Sequence, residues 1–340
     1  MHYSIATAMK PEVAARNVLD YVMEAVAGER ILVIYDDVLS EIGEAFGSAA
    51  LEMGLWTRSM ELETNRIRKA VPPALKEILV GERPDIYVNL FRGPSEETPF
   101  RIAVTKLQTR RKIRLGHCPG ISLDMLTNGA MALTGKQYER MQDFSRKLLR
   151  TVSLVEAVTI TSPKGTNLTL SVKGREWFSD TFFDWRTMKW INLPVGEVVV
   201  GPIENSLEGT LVSDGAIGGV GQIKRPVTIK VRDGKAGDPK TDDADVRKKV
   251  KAALDTDDWS CIVGELGIGV NPSARLSDEF LEIEKIKGTC HIAFGNNIDY
   301  PGGQNPSKNH MDLLITEPTI QIEGPSGSKT MVHKGRFRLG

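Results

Sequence analysis

A change in hydrophobic patterning near residue 157 constrains the fold more than any other feature. Before it, strand-like and helical segments alternate: residues 29–38 form a continuous apolar run, and residues 39–54 repeat apolar residues at helical spacing up to a glycine. Three more strand-like runs follow in residues 56–119. Because strands that alternate with helices build parallel sheets, we expect a doubly wound, mostly parallel α/β domain over residues 1–157.

The second half of the chain is rich in strands and turns. A long helical pattern over residues 122–155 precedes it, and two β-rich runs then flank Pro163-Lys164-Gly165, which is typical of a hairpin. More strand-like runs continue to the C-terminus, with one helical segment at residues 243–257. The sequence therefore predicts a second, β-rich α+β domain over residues 158–340.

Composition excludes several classes of partner. The chain has 340 residues with 44 basic and 44 acidic side chains, so neither nucleic acid nor an anionic membrane is expected to bind it. No apolar run reaches the roughly 20 residues that span a bilayer, and the N-terminal stretch lacks the apolar core of a signal peptide. The three cysteines show no CxxC spacing, which is typical of thiols in a reducing compartment. We therefore expect a cytoplasmic protein.

Carboxylates and histidines recur beside turns and glycines in the predicted strands of the second half. His310 and Asp312 are two residues apart in a strand-like run, so their side chains point to the same face. His291 lies in an apolar run, where a charge is costly without a partner. The whole set is Glu197, Glu265, Glu282, Glu284, His291, His310 and Asp312.

Each member of this set has two interpretations. Taken singly, a solvated strand end or a buried hydrogen-bonded pair explains it, and the whole chain would then be a non-catalytic protein that binds a small ligand. Taken together, imidazole and carboxylate groups are ligands for Zn²⁺, Mn²⁺, Co²⁺ or Fe²⁺. The set exceeds the needs of one catalytic ion and matches two ions that share a carboxylate, which is a hydrolytic arrangement.

The second half resembles the M29 family of metallo-aminopeptidases, the aminopeptidase T/S group of leucyl aminopeptidases. The resemblance is carried, in the family's order, by residues 164–177, 192–215, 264–272, 288–297 and 309–315. It implies two divalent ions (Zn, Co or Mn) held by Glu197, Glu265, Glu284, His291, His310 and Asp312. In the family, the residue matched by Glu265 bridges the ions, and a tyrosine, matched here by Tyr300, follows the first histidine. Glu284 stands two residues further from His291 than the family's spacing.

The implied activity is that of a metal-dependent aminopeptidase on a small peptide or amide. A metal-activated water would attack the carbonyl, with Glu265 and Tyr300 as the catalytic residues and the substrate's α-amine on one ion. The resemblance also implies a homodimer. The 2,5-dihydroxypyridine dioxygenases resemble this family too but carry one Fe(II). They have histidine at the position of Glu265 and lack the glutamate matched by Glu197, so this sequence favours the hydrolase.

Overall fold

The computed structural model describes residues 8–109, 113–183 and 190–339. Its contacts divide the chain into two compact units. The first comprises Met1–Arg140 and Asp180–Val195, and the second comprises Met141–Ser179 and Gly196–Gly340. The predicted boundary at residue 157 coincides with the first strand of the second unit, whereas the units themselves divide inside the preceding helix.

Helices and strands alternate in the first part of the chain. In order they are α1 (Pro11–Asn17, continued by a π-helical turn over Val18–Val22), β1 (Arg30–Asp36), α2 (Ser40–Glu52), β2 (Trp56–Leu62), α3 (Pro73–Gly81), β3 (Ile86–Phe91), α4 (Thr98–Gln108), β4 (Arg114–Pro119), α5 (Leu123–Thr127) and α6 (Gly135–Val152).

Strands dominate the rest. They are β5 (Ala157–Thr161), β6 (Asn167–Ser171), β7 (Phe178–Ser179), β8 (Ile191–Asn192), β9 (Glu197–Val200), β10 (Glu208–Ser213), β11 (Ala216–Ile217), β12 (Gly221–Gln222), β13 (Val227–Arg232), β14 (Lys235–Ala236), β15 (Val263–Gly269), β16 (Cys290–Gly295), β17 (His310–Ile315), β18 (Thr319–Gly324), β19 (Gly327–His333) and β20 (Arg336–Phe337). Two helices interrupt them, α7 (Ala244–Leu254) and α8 (Phe280–Ile283).

The first unit contains a parallel sheet, as the alternation of strands and helices predicted. Its five strands run parallel in the order β2-β1-β3-β4-β8. Every residue of β3 is buried, as expected for a parallel sheet covered on both faces. One face of β1, including Leu32, packs on Leu75 of α3 and Phe100 of α4. Tyr35 points to the other face, against Gly43 of α2.

The helical pattern over residues 122–155 forms two helices rather than one. The Ser122 side chain caps α5 by accepting the Met125 N–H at 3.1 Å, and α5 ends before Asn128-Gly129, a pair that favours turns. A second start follows at α6, where the Gln137 side chain accepts the Thr134 N–H at 2.9 Å. This hydrogen bond, one half of a capping box, marks the beginning of the longer helix.

A cluster of buried, charged side chains connects the ends of the parallel strands. Arg68 donates to both carboxylate oxygens of Asp36, at 2.5 and 2.8 Å, and to Glu97 at 2.6 Å. Arg92 donates to the other oxygen of Glu97 at 2.6 Å. Burial alone would raise the pKa of Glu97, but the hydrogen bonds from Arg68 and Arg92 outweigh it and lower this pKa to about 2.

The second unit contains two antiparallel sheets. One has eight strands in the order β14-β13-β10-β6-β5-β18-β19-β20, and the predicted hairpin is its β5–β6 pair. The other has seven, in the order β12-β11-β17-β16-β15-β9-β7. The predicted helix over residues 243–257 is α7, capped by the Asp243 side chain. Among the described residues, no helix has the length and apolarity needed to cross a membrane.

Candidate metal centre

The register of the seven-stranded sheet brings the predicted ligands to one place. Glu265 of β15 pairs with Ala293 of β16, which in turn pairs with Asp312 of β17. His291 and His310 each lie two residues before the paired position of their own strand, so they share a face with the two carboxylates.

Glu265 lies at the centre of the group and is 3% exposed. Its Oε1 is 3.1 Å from Nε2 of His291, and its Oε2 is 3.0 Å from Nε2 of His310. The two oxygens of one carboxylate therefore face two different imidazoles. This geometry suits a bridging ligand, which is the role that the resemblance implies for Glu265.

The outer ligands complete three overlapping groups. Oδ1 of Asp312 is 3.3 Å from Nε2 of His310, and Oε2 of Glu197 is 3.5 Å from Nε2 of His291. Donor atoms lie within 4.8 Å of one another in three sets, which are Glu197/Glu265/His291, Glu265/His310/Asp312 and Glu284/His291/Asp312.

The donor set fits a divalent ion. Ligand atoms about 2.0–2.2 Å from an ion lie about 3–4 Å from each other, and the measured separations between histidine nitrogens and carboxylate oxygens run from 3.0 to 3.9 Å. Nitrogen and oxygen donors without thiolate suit Zn²⁺, Mn²⁺, Co²⁺ or Fe²⁺. All six predicted ligands are therefore brought together by the fold.

The imidazoles are held in orientations that present Nε2 to the carboxylates. Nδ1 of His310 is 2.8 Å from the carbonyl oxygen of Asn296, and since a carbonyl only accepts, Nδ1 carries the proton. The ring of His291 lies over Gly267, which pairs with it across β15 and β16. A Cβ at position 267 would lie 2.1 Å from Cε1 of His291, so this position requires glycine.

Interactions between the carboxylates and the two histidines shift the pKa values of both. Burial alone would raise the pKa of Glu265, but the two histidines outweigh it and hold this pKa well below its usual range. Burial would likewise lower the pKa values of the histidines, yet Glu265 raises that of His291 to about 10, and Asp312 with Glu265 raises that of His310. Because the carboxylates raise the pKa values of both histidines, an ion that binds to these nitrogens would compete with protons.

Tyr300 reaches the same carboxylate from the segment between β16 and β17. Its hydroxyl donates to Oε2 of Glu265 at 2.5 Å. Burial and the negative charge of Glu265 raise the pKa of Tyr300 well above 10, so the hydroxyl keeps its proton as a donor.

A polar network that sequence reasoning missed fixes the segment carrying Tyr300. Glu204 accepts the Gln304 N–H at 2.9 Å and the side-chain amide of Asn297 at 3.1 Å. Arg175 donates to Glu204 at 2.5 Å and to the carbonyl of Gly302. Glu204 lies within a segment that already resembled the family, but its surroundings along the chain gave no sign of a role.

Lys285 is the second residue that sequence reasoning missed. Its side chain has no exposure, and Nζ donates to Oε1 of Glu197 and, at 2.8 Å, to Oε1 of Glu284. Burial dominates the pKa of Glu284 and raises it. In the sequence, Lys285 stands in a run of alternating charges that is typical of a solvated surface, so only the fold reveals its position.

Two comparisons with known proteins give matches. The sequence profile of the M29 peptidase family, described as thermophilic metalloprotease, matches residues 136–337. A search of curated proteins gives no match. Among solved structures, wild-type AmpT from Thermus thermophilus superposes with a TM-score of 0.71 at 14% identity, over 96% of this chain and 98% of that one.

A second solved structure is similarly close in fold. The 2,5-dihydroxypyridine dioxygenase from Pseudomonas putida KT2440 superposes with a TM-score of 0.66 at 15% identity, over 97% of each chain. Both likenesses show the α/β and antiparallel architecture alone, because their identities are low. The family profile covers more than half of this chain, including all six predicted ligands. The chain therefore belongs to the M29 family of metalloproteases.

Proposed function

We propose that this protein is a metal-dependent aminopeptidase. The observation that carries the proposal is the position of Glu265, whose two oxygens face His291 and His310 at 3.1 and 3.0 Å inside a carboxylate-rich group. Each of the three ligand groups among the described residues contains one histidine and two carboxylates. That chemistry suits a hydrolytic ion rather than the two-histidine, one-carboxylate set of non-haem iron oxygenases.

A divalent ion bound here would act as a Lewis acid on the substrate carbonyl and would lower the pKa of a water molecule. Glu265, which contacts both histidines, would be among the residues that hold that ion. The Tyr300 hydroxyl, which keeps its proton, would donate a hydrogen bond to the oxyanion of the tetrahedral intermediate. Glu284, whose carboxyl group lies in one donor set with His291 and Asp312, would carry the proton from water to the leaving amine.

Specificity for the amino terminus follows from the charge of the site. Four carboxylates (Glu197, Glu265, Glu284 and Asp312) converge on it. A divalent ion and the Lys285 ammonium group would compensate three of these four negative charges, and the remaining charge would suit the ammonium group of a substrate's first residue. The fold shared with AmpT supports the same proposal. The number of ions is a separate question, because Lys285 also lies among these carboxylates.

Paired substrates test the proposal. The purified protein, loaded with Zn²⁺, Mn²⁺ or Co²⁺, should release the chromophore from leucine p-nitroanilide and should leave the N-acetylated compound intact. Equal hydrolysis of both compounds would contradict amino-terminal specificity. Oxygen consumption with Fe(II) and 2,5-dihydroxypyridine, without peptidase activity, would assign the site to a ring-cleaving dioxygenase instead.

The homodimer implied by the resemblance remains a prediction. Light scattering on the purified protein measures it directly, since the monomer has a mass of 37.4 kDa. A mass near twice that value is the expected result.

A further inference from the structure

The side chain of Lys285 lies among the carboxylates of the candidate metal centre. It is completely buried, and its ammonium group contacts one oxygen of Glu197 and, at 2.8 Å, one oxygen of Glu284. An ammonium group is stable in such surroundings only when anionic groups pair with it. These two carboxylates are among the six candidate metal ligands.

The backbone holds Lys285 in this position. Its N–H donates to the carbonyl of Glu282 at 3.1 Å, in the turn that follows α8. Its carbonyl accepts the N–H of Asn271 at 2.9 Å, just beyond the end of β15. These backbone hydrogen bonds attach Lys285 to the end of the strand that carries Glu265. They therefore hold its side chain in the buried position.

The three ligand groups differ in their relation to this lysine. The group Glu197/Glu265/His291 includes one carboxylate that binds Lys285, and the group Glu284/His291/Asp312 includes the other. The third group consists of Glu265, His310 and Asp312. A divalent ion bonded to Glu197 or Glu284 at about 2.0–2.2 Å would lie within a few ångströms of the ammonium group, and the two positive charges would repel each other.

We propose that the ammonium group of Lys285 takes the place of one of the two cations, so that the centre holds a single divalent ion on Glu265, His310 and Asp312. Glu197 and Glu284 then compensate the lysine instead of a second ion. This inference rests on the proposed function, because it concerns the same site. It changes the stoichiometry expected from the resemblance and makes Lys285 a positioning residue for the carboxylates around the ion.

Metal content tests the inference directly. The wild-type protein is saturated with Zn²⁺ or Mn²⁺ and freed of excess metal. Elemental mass spectrometry then measures the number of metal ions per protein chain. Wild type should bind one equivalent, and Lys285→Met, which keeps the length of the side chain without the charge, should bind two. The matched control is Lys287→Met, whose ammonium group lies 4.3 Å from the Phe144 ring, and it should bind one.

Two outcomes of this measurement overturn the inference. One is a wild-type protein that binds two equivalents, and the other is a Lys285→Met protein that still binds one. Since Lys285→Met leaves buried carboxylates without their partner, it can fail to fold. Anomalous diffraction from wild-type crystals at the metal absorption edge then decides: one peak beside Nε2 of His310 supports the inference, and two peaks overturn it.

The assay with paired substrates separates this inference from the proposed function. Aminopeptidase activity with two bound ions would leave the function standing and remove the role of Lys285. One bound ion without peptidase activity would leave the role of Lys285 standing and would contradict the proposed function.

Discussion

Gly267 of β15 lies directly opposite His291 of β16, and the imidazole occupies the space in which any other residue would place its side chain. Nδ1 of His291 has no hydrogen-bond partner among the described residues. Packing on Gly267, together with the contacts of Nε2 to carboxylates, therefore sets the orientation of this ring.

Replacement of Gly267 by alanine should displace His291 and weaken metal binding. The new Cβ would lie 2.1 Å from the ring, so the imidazole must move away from Glu265. A loss of about 10–100-fold in metal affinity is expected, as for other changes to a residue that orients a ligand, because His291 contacts Glu265. Calorimetric titration with Zn²⁺ measures it. Gly81→Ala is the matched control, since nothing lies within 4 Å of its Cβ. Unchanged metal affinity in Gly267→Ala would show that Gly267 does not set the position of His291.

Removal of a central ligand should have a larger effect. Glu265→Ala leaves two histidines without their shared carboxylate, and His310→Ala removes a nitrogen donor. Both variants should lose activity. Their metal affinity should fall by more than the roughly 10–100-fold expected for a residue that only orients a ligand. Elemental analysis and the leucine p-nitroanilide assay measure the two effects. Glu323→Ala, at an exposed position of β18, is the control. Full turnover by Glu265→Ala would show that Glu265 has no role in the mechanism.

Tyr300→Phe should separate catalysis from metal binding. The hydroxyl donates to Glu265, yet it is proposed to act on the oxyanion rather than on the ion. Loss of one such donor costs about 10²–10³-fold in kcat, whereas metal content should stay as in wild type. Steady-state kinetics beside elemental analysis test this, with Tyr35→Phe in the first unit as the control. A kcat equal to that of wild type would exclude the proposed role.

The ion cluster of the first unit should make stability depend on pH in the acid range. The pKa of Glu97 falls from 4.5 to about 2 on folding. A lowered pKa stabilises the folded state above pH 4.5, and this contribution disappears as the pH falls through 2. It amounts to about 3 kcal/mol at neutral pH.

Acid unfolding of Glu97→Gln checks this assignment. The variant should lose stability at neutral pH and should show a shallower decline in the free energy of unfolding between pH 5 and pH 2. Glu96→Gln, at the exposed neighbouring position, should behave as wild type. An identical pH dependence in wild type and Glu97→Gln would contradict the assigned pKa.

The sequence predicted the architecture because its patterning is local. Alternation of strands and helices indicated the parallel sheet, and the hairpin at Pro163-Lys164-Gly165 indicated the antiparallel half. The spacing of His310 and Asp312 predicted a shared face, and β17 places both beside Glu265. The break between α5 and α6 was missed, although the turn-forming pair Asn128-Gly129 marks it, because apolar residues continue on both sides of that pair.

The contributions of Lys285, Glu204 and Gly267 were beyond sequence reasoning for a different reason. Their roles depend on residues distant in the chain: Lys285 meets Glu197, Glu204 meets Asn297, and Gly267 meets His291. Alternation within one strand says which side chains share a face, but it does not say which strands are neighbours. The order β17-β16-β15-β9 is a property of the folded sheet, and these contacts appear only with it.

The most direct test of the central claim is a metal titration of the wild-type activity. Protein stripped with a chelator should hydrolyse leucine p-nitroanilide at no measurable rate, and activity should return as Zn²⁺, Mn²⁺ or Co²⁺ is added back. Full turnover by the stripped protein, or no turnover on a free amino terminus with any of these ions, would contradict a metal-dependent aminopeptidase.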